Sequence, residues 1–585
     1  MSVHAFGPLP PTPRIRRIGV LDIETWGLDA RPTAFALGVY LDEHGPRRFT
    51  TRQEMVDFLL SRNTRGRWLW AHNGGRFDYL VLFGNFLRDR PKETLMVGGR
   101  AIALNIHEAN GANVHRFCDS LNLIPRPLSA IGEAMGYPKG TTPAKFKEAR
   151  REEGIAEEDW AYCERDCGIL YRALNDLQTE LGELAPTLPS LAMKLYRRHH
   201  MEGVMWIDIE NDTASRAAYY GGRTEAYYIG RLAAAPHYYD VNSLYPHAMV
   251  TARFPDPRHL KMRDRALTAI PENEEGVAWA RVTIPADCYL PPLPYRSGGK
   301  LVFPTGTFSG AWTFNELRLV ALAGGQIATT RTFSGPSLAE NPFRSYVEEM
   351  YEHKRVKTGF AREVYKLLLN GLCGKFGELH REQTEYAPSY TPASYNRMSG
   401  LHSHLRWKPI SAKREDGFWA WDSEHGGRAN HSIYVWAAYI SAAARAINWR
   451  TQMLLRSLGI HTLYTDTDSF ITDGTLLTDL PIPELAGLVG DGLGQLKVED
   501  KIVTAIWGAK HYETTEGLTL KGVRRGATRQ EDGSYRFASV VGARSAIRRN
   551  IEAGAPLTIS RTPRHDYDKR LVLPNGDTAP WVVNE

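Results

Sequence analysis

A chain of 585 residues exceeds what a single hydrophobic core supports, and a composition 43% hydrophobic and 24% charged excludes wholesale disorder. Lys plus Arg exceed Asp plus Glu by 72 − 66 = 6, a small excess that admits a polyanionic partner without identifying one. Cys118, Cys163, Cys167, Cys288 and Cys373 are odd in number and spaced as no disulfide framework is, and no CxxC pair exists to hold zinc, so a reducing, intracellular protein is expected. With no signal-like N-terminus and no membrane-length apolar run, the expectation is a soluble cytoplasmic protein without a membrane partner.

Strand-like runs at Ile18–Leu21 and Trp68–Ala71 alternate with helical stretches such as Glu157 to Leu181, which predicts an α/β unit up to about Leu184. Asp22 and Glu24 stand two apart on the first strand, so both carboxylates leave one face and repel unless a cation lies between them. Taken alone, this pair reads equally as a solvated sheet edge. A third acid, Asp78, follows the glycine turn in His72-Asn73-Gly74-Gly75-Arg76-Phe77-Asp78. A fourth, Asp166, shares a helix face with Tyr162 at i and i+4. Four acids and a tyrosine are what two-metal phosphodiester hydrolysis requires.

The Pro-rich stretch from Pro186 to Pro189 is expected to be a linker. Beyond it, the strand-like His237–Val241 ends on Asp240 where a helical pattern begins at Ser243. Phe254 to Pro342, rich in Pro and Gly with short β-like runs, suggests an inserted subdomain. Two helical stretches follow, Phe343 to Val356 and Phe360 to Phe376. In the second, Arg362, Lys366 and Asn370 fall at i, i+4 and i+8 beside an apolar stripe of Val364, Leu368 and Leu372. A cationic stripe backed by a packed one suits a helix that grips a triphosphate, although alone it is also an ordinary surface helix. A helix from about Ser432 to Leu458 leads into Tyr464-Thr465-Asp466-Thr467-Asp468-Ser469, where two acids cross a tight turn between β-like arms. Carboxylates delivered by two strand ends can hold two divalent ions about 3.5–4 Å apart, the arrangement that joins a 3′ hydroxyl to an α-phosphate.

Asp240-Val241-Asn242-Ser243-Leu244-Tyr245-Pro246 and the Tyr464–Ser469 run resemble motifs A and C of the family B DNA polymerases. Lys366 to Gly374 resembles motif B, with Gly371 and Cys373 departing from its usual Ser and Tyr. The three N-terminal acid motifs resemble those of the family's proofreading 3′–5′ exonuclease. Tyr219-Tyr220-Gly221-Gly222-Arg223, Ser441–Arg445 and Lys510-His511-Tyr512 resemble a YxGG linker, a template-contact motif and the KxY motif.

This resemblance implies an α/β and α+β multidomain chain, with an RNase H-like exonuclease domain and a right-hand polymerase of palm, fingers and thumb carrying two insertions. The implied layout is exonuclease 1–185, linker and first palm part 186–255, a first terminal-protein-like region 256–340, fingers 341–377, a second such region 378–430, second palm part 431–505 and thumb 506–585. Asp240, Asp466 and Asp468 in one centre, and Asp22, Glu24, Asp78, Tyr162 and Asp166 in the other, would be catalytic. Two Mg2+ per centre, or Mn2+, would be held by Asp240, Val241 and Asp468, and by Asp22, Glu24, Asp78 and Asp166. The dNTP would meet Val241, Tyr245 as steric gate against ribose, Lys354, Arg362, Lys366, Asn370 and Tyr464. Primer-template DNA would meet Thr25, His72, Asn73, Phe77, Ser120, Leu121, Lys139, Tyr219, Gly221, Gly222, Arg445, Lys510 and Tyr512. Lys145 and Lys147 compete with Lys139 for its role. Arg544, Arg548 and Arg549 suit a thumb that grips duplex backbone.

The compact length resembles the protein-primed branch of phages and linear plasmids, with a terminal protein as primer and a monomeric enzyme in the host cytoplasm. A primer-independent or conventionally primed family B polymerase, a nuclease with a DNA-binding C-terminal half, and a replication scaffold without synthesis are the alternatives.

Overall fold

The computed structural model describes residues 3–86, 94–97, 100–107, 114–208, 212–233, 236–378, 384–387, 406–409, 419–424, 429–474, 476–485, 487–524, 526–549, 551–563 and 566–585. The N-terminal part is built on a seven-stranded sheet. Its order is Gly45–Phe49, Phe35–Asp42, Arg17–Thr25, Arg67–Ala71, Val114–Asp119, Arg100–His107, Thr94–Val97. The three middle strands run parallel and the others antiparallel. Buried Ile18, Val20, Leu21 and Ile23 make the Arg17–Thr25 strand apolar on both faces, as a strand covered on both sides must be. Helix Glu157–Leu181 covers one face with Cys163, Cys167, Leu170 and Leu174, and stops at Gly182, which adopts φ +75°.

Where a linker was expected, Thr187 caps helix Leu188–His199, its hydroxyl accepting from Ser190 N at 3.3 Å. Proline tolerated in the first turn explains why a Pro-rich stretch starts a helix. The chain then enters a five-stranded antiparallel sheet of order Thr224–Ala226, Thr462–Asp466, Ser469–Thr472, His237–Val241, Leu496–Glu499. Helices Leu244–Thr251 and Tyr434–Ser457 pack behind it. Phe254, Phe343, Phe376 and Trp436 form an aromatic knot that joins these to the hairpin of helices Arg344–Val356 and Gly359–Gly371.

Residues 256–340 contain longer strands than their composition suggested. Glu274–Ile284 and Gln326–Pro336 span 11 residues each in a sheet of order Lys261–Asp264, Gln326–Pro336, Glu274–Ile284, Thr305–Thr313, Val582–Asn584. The fifth strand comes from the end of the chain and runs parallel to Thr305–Thr307. The segment 506–585, expected to be thumb throughout, therefore leaves the thumb-like hairpins and returns to the middle of the molecule. Between these ends, Tyr535–Val540 and Pro556–Arg561 form a hairpin whose tip rests on the N-terminal part, with Ala30 N donating to Gly554 O at 2.9 Å. Most of 378–430 lies outside the described residues.

Candidate functional sites

The first acidic centre lies at the mouth of the N-terminal sheet. Asp22 and Glu24 project from one strand and Asp166 from helix Glu157–Leu181, and one ligand oxygen of each lies within 4.8 Å of the others. Among the described residues this is the one such group of three. Asp78 opens helix Asp78–Phe83 beside them and is buried. Burial first, then the charge of Asp166, pushes Asp22 up to about 7. Burial and the neighbouring acids likewise hold Glu24 and Asp78 well above the carboxylate range. Four acids raised by burial and, at Asp22, Glu24 and Asp78, by mutual repulsion form a site whose charge, offset only in part by Lys139, fits divalent cations.

Lys139 is the lysine that reaches these acids. It is paired with Asp166, and despite burial Asp22 and Asp166 hold its ammonium above the ordinary value. Lys145 is engaged by Asp159 at 2.5 Å, and Lys147 is exposed. Tyr162 bonds Thr142 Oγ1 at 2.8 Å and lies under Lys139, whose Nζ is 5.0 Å from the ring centroid.

The loop beside this centre is organised by Asp119, a buried acid within the Phe117–Leu121 run. It accepts from Asn73 N at 2.9 Å and Leu121 N at 3.0 Å. Asn73 adopts φ +65°. His72, lowered to about 4 by burial, bonds Ser120 Oγ at 3.0 Å. Ser120 was expected against DNA; instead it is fully buried and also donates to Ala71 O. Thr25 is buried, with its hydroxyl on Gly27 O. Phe77 and Asn73 line a cleft of about 470 Å³ against the C-terminal hairpin, together with Arg524, Arg549 and Arg561. Arg544 is buried, and the side chain of Arg548 lies outside the described residues.

The second centre sits on the five-stranded sheet. Asp240 stands opposite Ser469, and Val241 N donates to Asp468 O at 2.7 Å, so the ends of the two strands bring Asp240 and Asp468 together. Burial and then Asp468 raise Asp240 to about 7, and burial also raises Asp468. Asp466 is turned elsewhere, accepting from Thr224 Oγ1 at 2.9 Å and pairing with Lys510 at 3.1 Å. Thr467, at φ +64° between the two acids, donates its N–H to Arg223 O, and Gly222 packs against its side chain.

Arg362, Lys366 and Asn370 are exposed along one stripe of helix Gly359–Gly371, while Val364, Leu368 and Leu372 are buried. The Lys366 charge reaches Asp240. Lys354, on the preceding helix, donates to Asn242 Oδ1 at 2.8 Å and Ser243 Oγ at 3.3 Å. Burial, then Lys366 and Arg362, lower its ammonium. Tyr245 is half-buried, and burial followed by the neighbouring Cys373 raises it to about 12. Tyr219 lies beside the same cysteine.

Two further expectations are corrected. Tyr464, expected at the nucleotide, is fully buried, its ring centroid 5.7 Å from that of the buried Tyr512 and its hydroxyl accepting from Lys510 N. Arg445, expected on the template, is buried, paired with Glu316 at 2.8 Å and donating to the carbonyls of Tyr220 and Gly221. It shapes the YxGG loop from beneath. Asp119, Thr224 and Asn242 carry the sites' supporting bonds and were not singled out from sequence. Asp119 directly precedes Ser120 and Leu121, which the resemblance places against DNA, and that adjacency was the signal available for it.

Residues 137–389 match the family DNA polymerase type B, organellar and viral. A probable DNA polymerase of Podospora anserina is 26% identical, the match covering 70% of this chain and 38% of the relative. The DNA-directed DNA polymerase of Enterobacteria phage PRD1 is 26% identical over 69% of this chain and 66% of its own. The chain thus spans less than two thirds of either relative. The phi29 DNA polymerase complexed with primer-template DNA has the same fold, with a TM-score of 0.66 at 16% identity over 93% of this chain and 99% of that one. The two chains share one multidomain fold along almost their whole lengths.

Proposed function

We propose that the chain is a type B DNA polymerase of the organellar and viral kind, that it copies a DNA template from dNTPs at the Asp240–Asp468 centre and that it trims 3′ ends at the Asp22–Asp166 centre. The observation that carries this reading is the pair of raised carboxylates at adjoining strand ends, faced by the charges of Lys366 and its neighbours. Asp240, Asp468 and the Val241 carbonyl would hold Mg2+ in one centre, and Asp22, Glu24, Asp78 and Asp166 in the other. When bound, the metal ions stabilise the charge of the in-line transition state and lower the pKa of the attacking oxygen. Lys354, Arg362 and Lys366 would neutralise the triphosphate and leaving pyrophosphate. Tyr245, packed beneath the sugar, would exclude a 2′-hydroxyl. Lys510, held by Asp466, would steady the primer terminus. In the trimming site, Tyr162 would orient the attacking water and Lys139 the scissile phosphate, while Asp119 keeps the Asn73 and Leu121 backbone in place for the frayed strand.

Protein priming is the branch we favour, since the PRD1 relative matches across most of this chain, with a terminal protein docking on 256–340 and a monomeric enzyme at work in the host cytoplasm. A candidate terminal protein should become covalently labelled with dNMP when mixed with this enzyme and dNTPs. The central test is primer extension with Mg2+. Asp468→Ala should abolish extension and keep degradation, and Asp22→Ala/Glu24→Ala should do the reverse. Extension by Asp468→Ala would remove the synthetic site from this sheet.

A further inference from the structure

Lys354 is not free in the cleft: both of its acceptors, Asn242 and Ser243, sit in the turn between strand His237–Val241 and helix Leu244–Thr251. The other end of the Asn242 amide donates to the carbonyls of Asp491 at 2.5 Å and Gly492 at 3.2 Å. The Asn242 backbone is locked to the same loop, donating to Gln495 O and accepting from Gly494 N, each at 2.8 Å. Tyr351, on the helix that carries Lys354, donates its hydroxyl to Asp491 O at 3.0 Å. Glycines make this approach feasible: Gly494 adopts φ +83°, and a Cβ there would lie 2.4 Å from the His247 ring. With Nδ2 committed to two carbonyls, the amide can offer Lys354 only its oxygen.

We propose that Asn242 is a positioning residue for the incoming nucleotide: oriented by the Asp491 and Gly492 carbonyls, it holds the Lys354 ammonium where the triphosphate arrives. The inference rests on the polymerase reading above. Both oxygens that Lys354 meets are neutral, and the nearby charges of Lys366, Arg362 and Lys497 repel it. Glu363, the one opposing charge of that set, is engaged by Arg126 at 2.5 Å. An anion is the partner this arrangement lacks, and a polyphosphate supplies it.

The test is steady-state single-nucleotide incorporation by the full chain with Mg2+, comparing Asn242→Ala, Lys354→Ala and the double variant. Asn242→Ala should raise KM for dNTP about tenfold with kcat within about twofold, as loss of one charge-assisted contact predicts. In the Lys354→Ala background it should add nothing, because the lysine it positions is gone. Should Asn242→Ala lower the thermal midpoint, Asn242→Asp serves in its place. It loses the donor to both carbonyls and puts a carboxylate where the phosphate's charge is needed, so a KM rise at least as large is expected. An unchanged KM, a loss confined to kcat, or an additive rise in the double variant would overturn the inference alone. A parent chain that incorporates no nucleotide would remove the polymerase reading along with it.

Discussion

Asp22 illustrates what a half-buried acid among other acids costs at neutral pH. Its folded pKa of about 7 lies far above its ordinary 3.8. Below about pH 4 both folded and unfolded chains hold the proton. Between about 4 and 7 only the folded chain does, so the stability contributed at low pH is lost as pH rises through the folded pKa. Metal-free protein should therefore be less stable at pH 7.5 than at pH 5. Asp22→Asn should stabilise it at pH 7.5 by roughly 1–3 kcal/mol, and Mg2+ should stabilise the parent more than the variant. Thermal unfolding in chelator and in Mg2+ at both pH values checks this. A parent with the same midpoint at pH 5 and 7.5 in chelator would show that the four acids are not forced together.

At the scale of elements, the two centres depend on turns pressed against neighbouring loops. A Cβ at Gly222 would lie 2.4 Å from Thr467 Oγ1 and 2.9 Å from its Cβ, whereas at Gly221 it would meet nothing within 4 Å. Gly222→Ala should push the Thr467 turn and carry Asp468 with it, cutting primer extension at least tenfold and sparing degradation; equal loss of both activities would mean a general folding defect. The same change at Gly221 should cost no stability. That contrast also marks where the sequence was legible. Helix Glu157–Leu181 could be read because 25 residues keep one apolar face and end on glycine. That Asp22, Glu24 and Asp166 gather, and that Asp240 meets Asp468, could be read from their spacing and from the strand ends that carry them. Which side of a motif residue is covered could not, since the cover comes from elsewhere: Tyr512 over Tyr464, and Glu316 against Arg445. Three-residue strand Val582–Asn584 carries too little pattern to reveal a partner at Thr305–Thr307.

Across the whole molecule, the segment after residue 566 fastens the thumb-like hairpins back into the centre. Tyr567 OH accepts from Ala226 N at 2.9 Å, Lys569 donates to Thr224 O at 3.0 Å, and Thr578 N donates to Tyr227 O. Arg570 is buried against Glu225, 3.5 Å away, with its guanidinium 4.8 and 5.0 Å from the Tyr227 and Tyr289 ring centroids. Its Nε donates to Thr578 Oγ1 at 2.9 Å. These bonds converge on strand Thr224–Ala226, the edge strand whose Thr224 holds Asp466. Arg570→Ala would leave Glu225 with Arg223 as its remaining buried ion-pair partner, and breaking one member of a buried charge set costs about 3–5 kcal/mol. The loss should fall first on the central sheet, so extension should fail at a lower urea concentration than degradation by the N-terminal part. Urea titration read by both activities checks this. If the two activities fail together at the parent's midpoint, the returning segment is an ornament on the sheet; if extension fails first, the segment is part of what holds the synthetic centre in register.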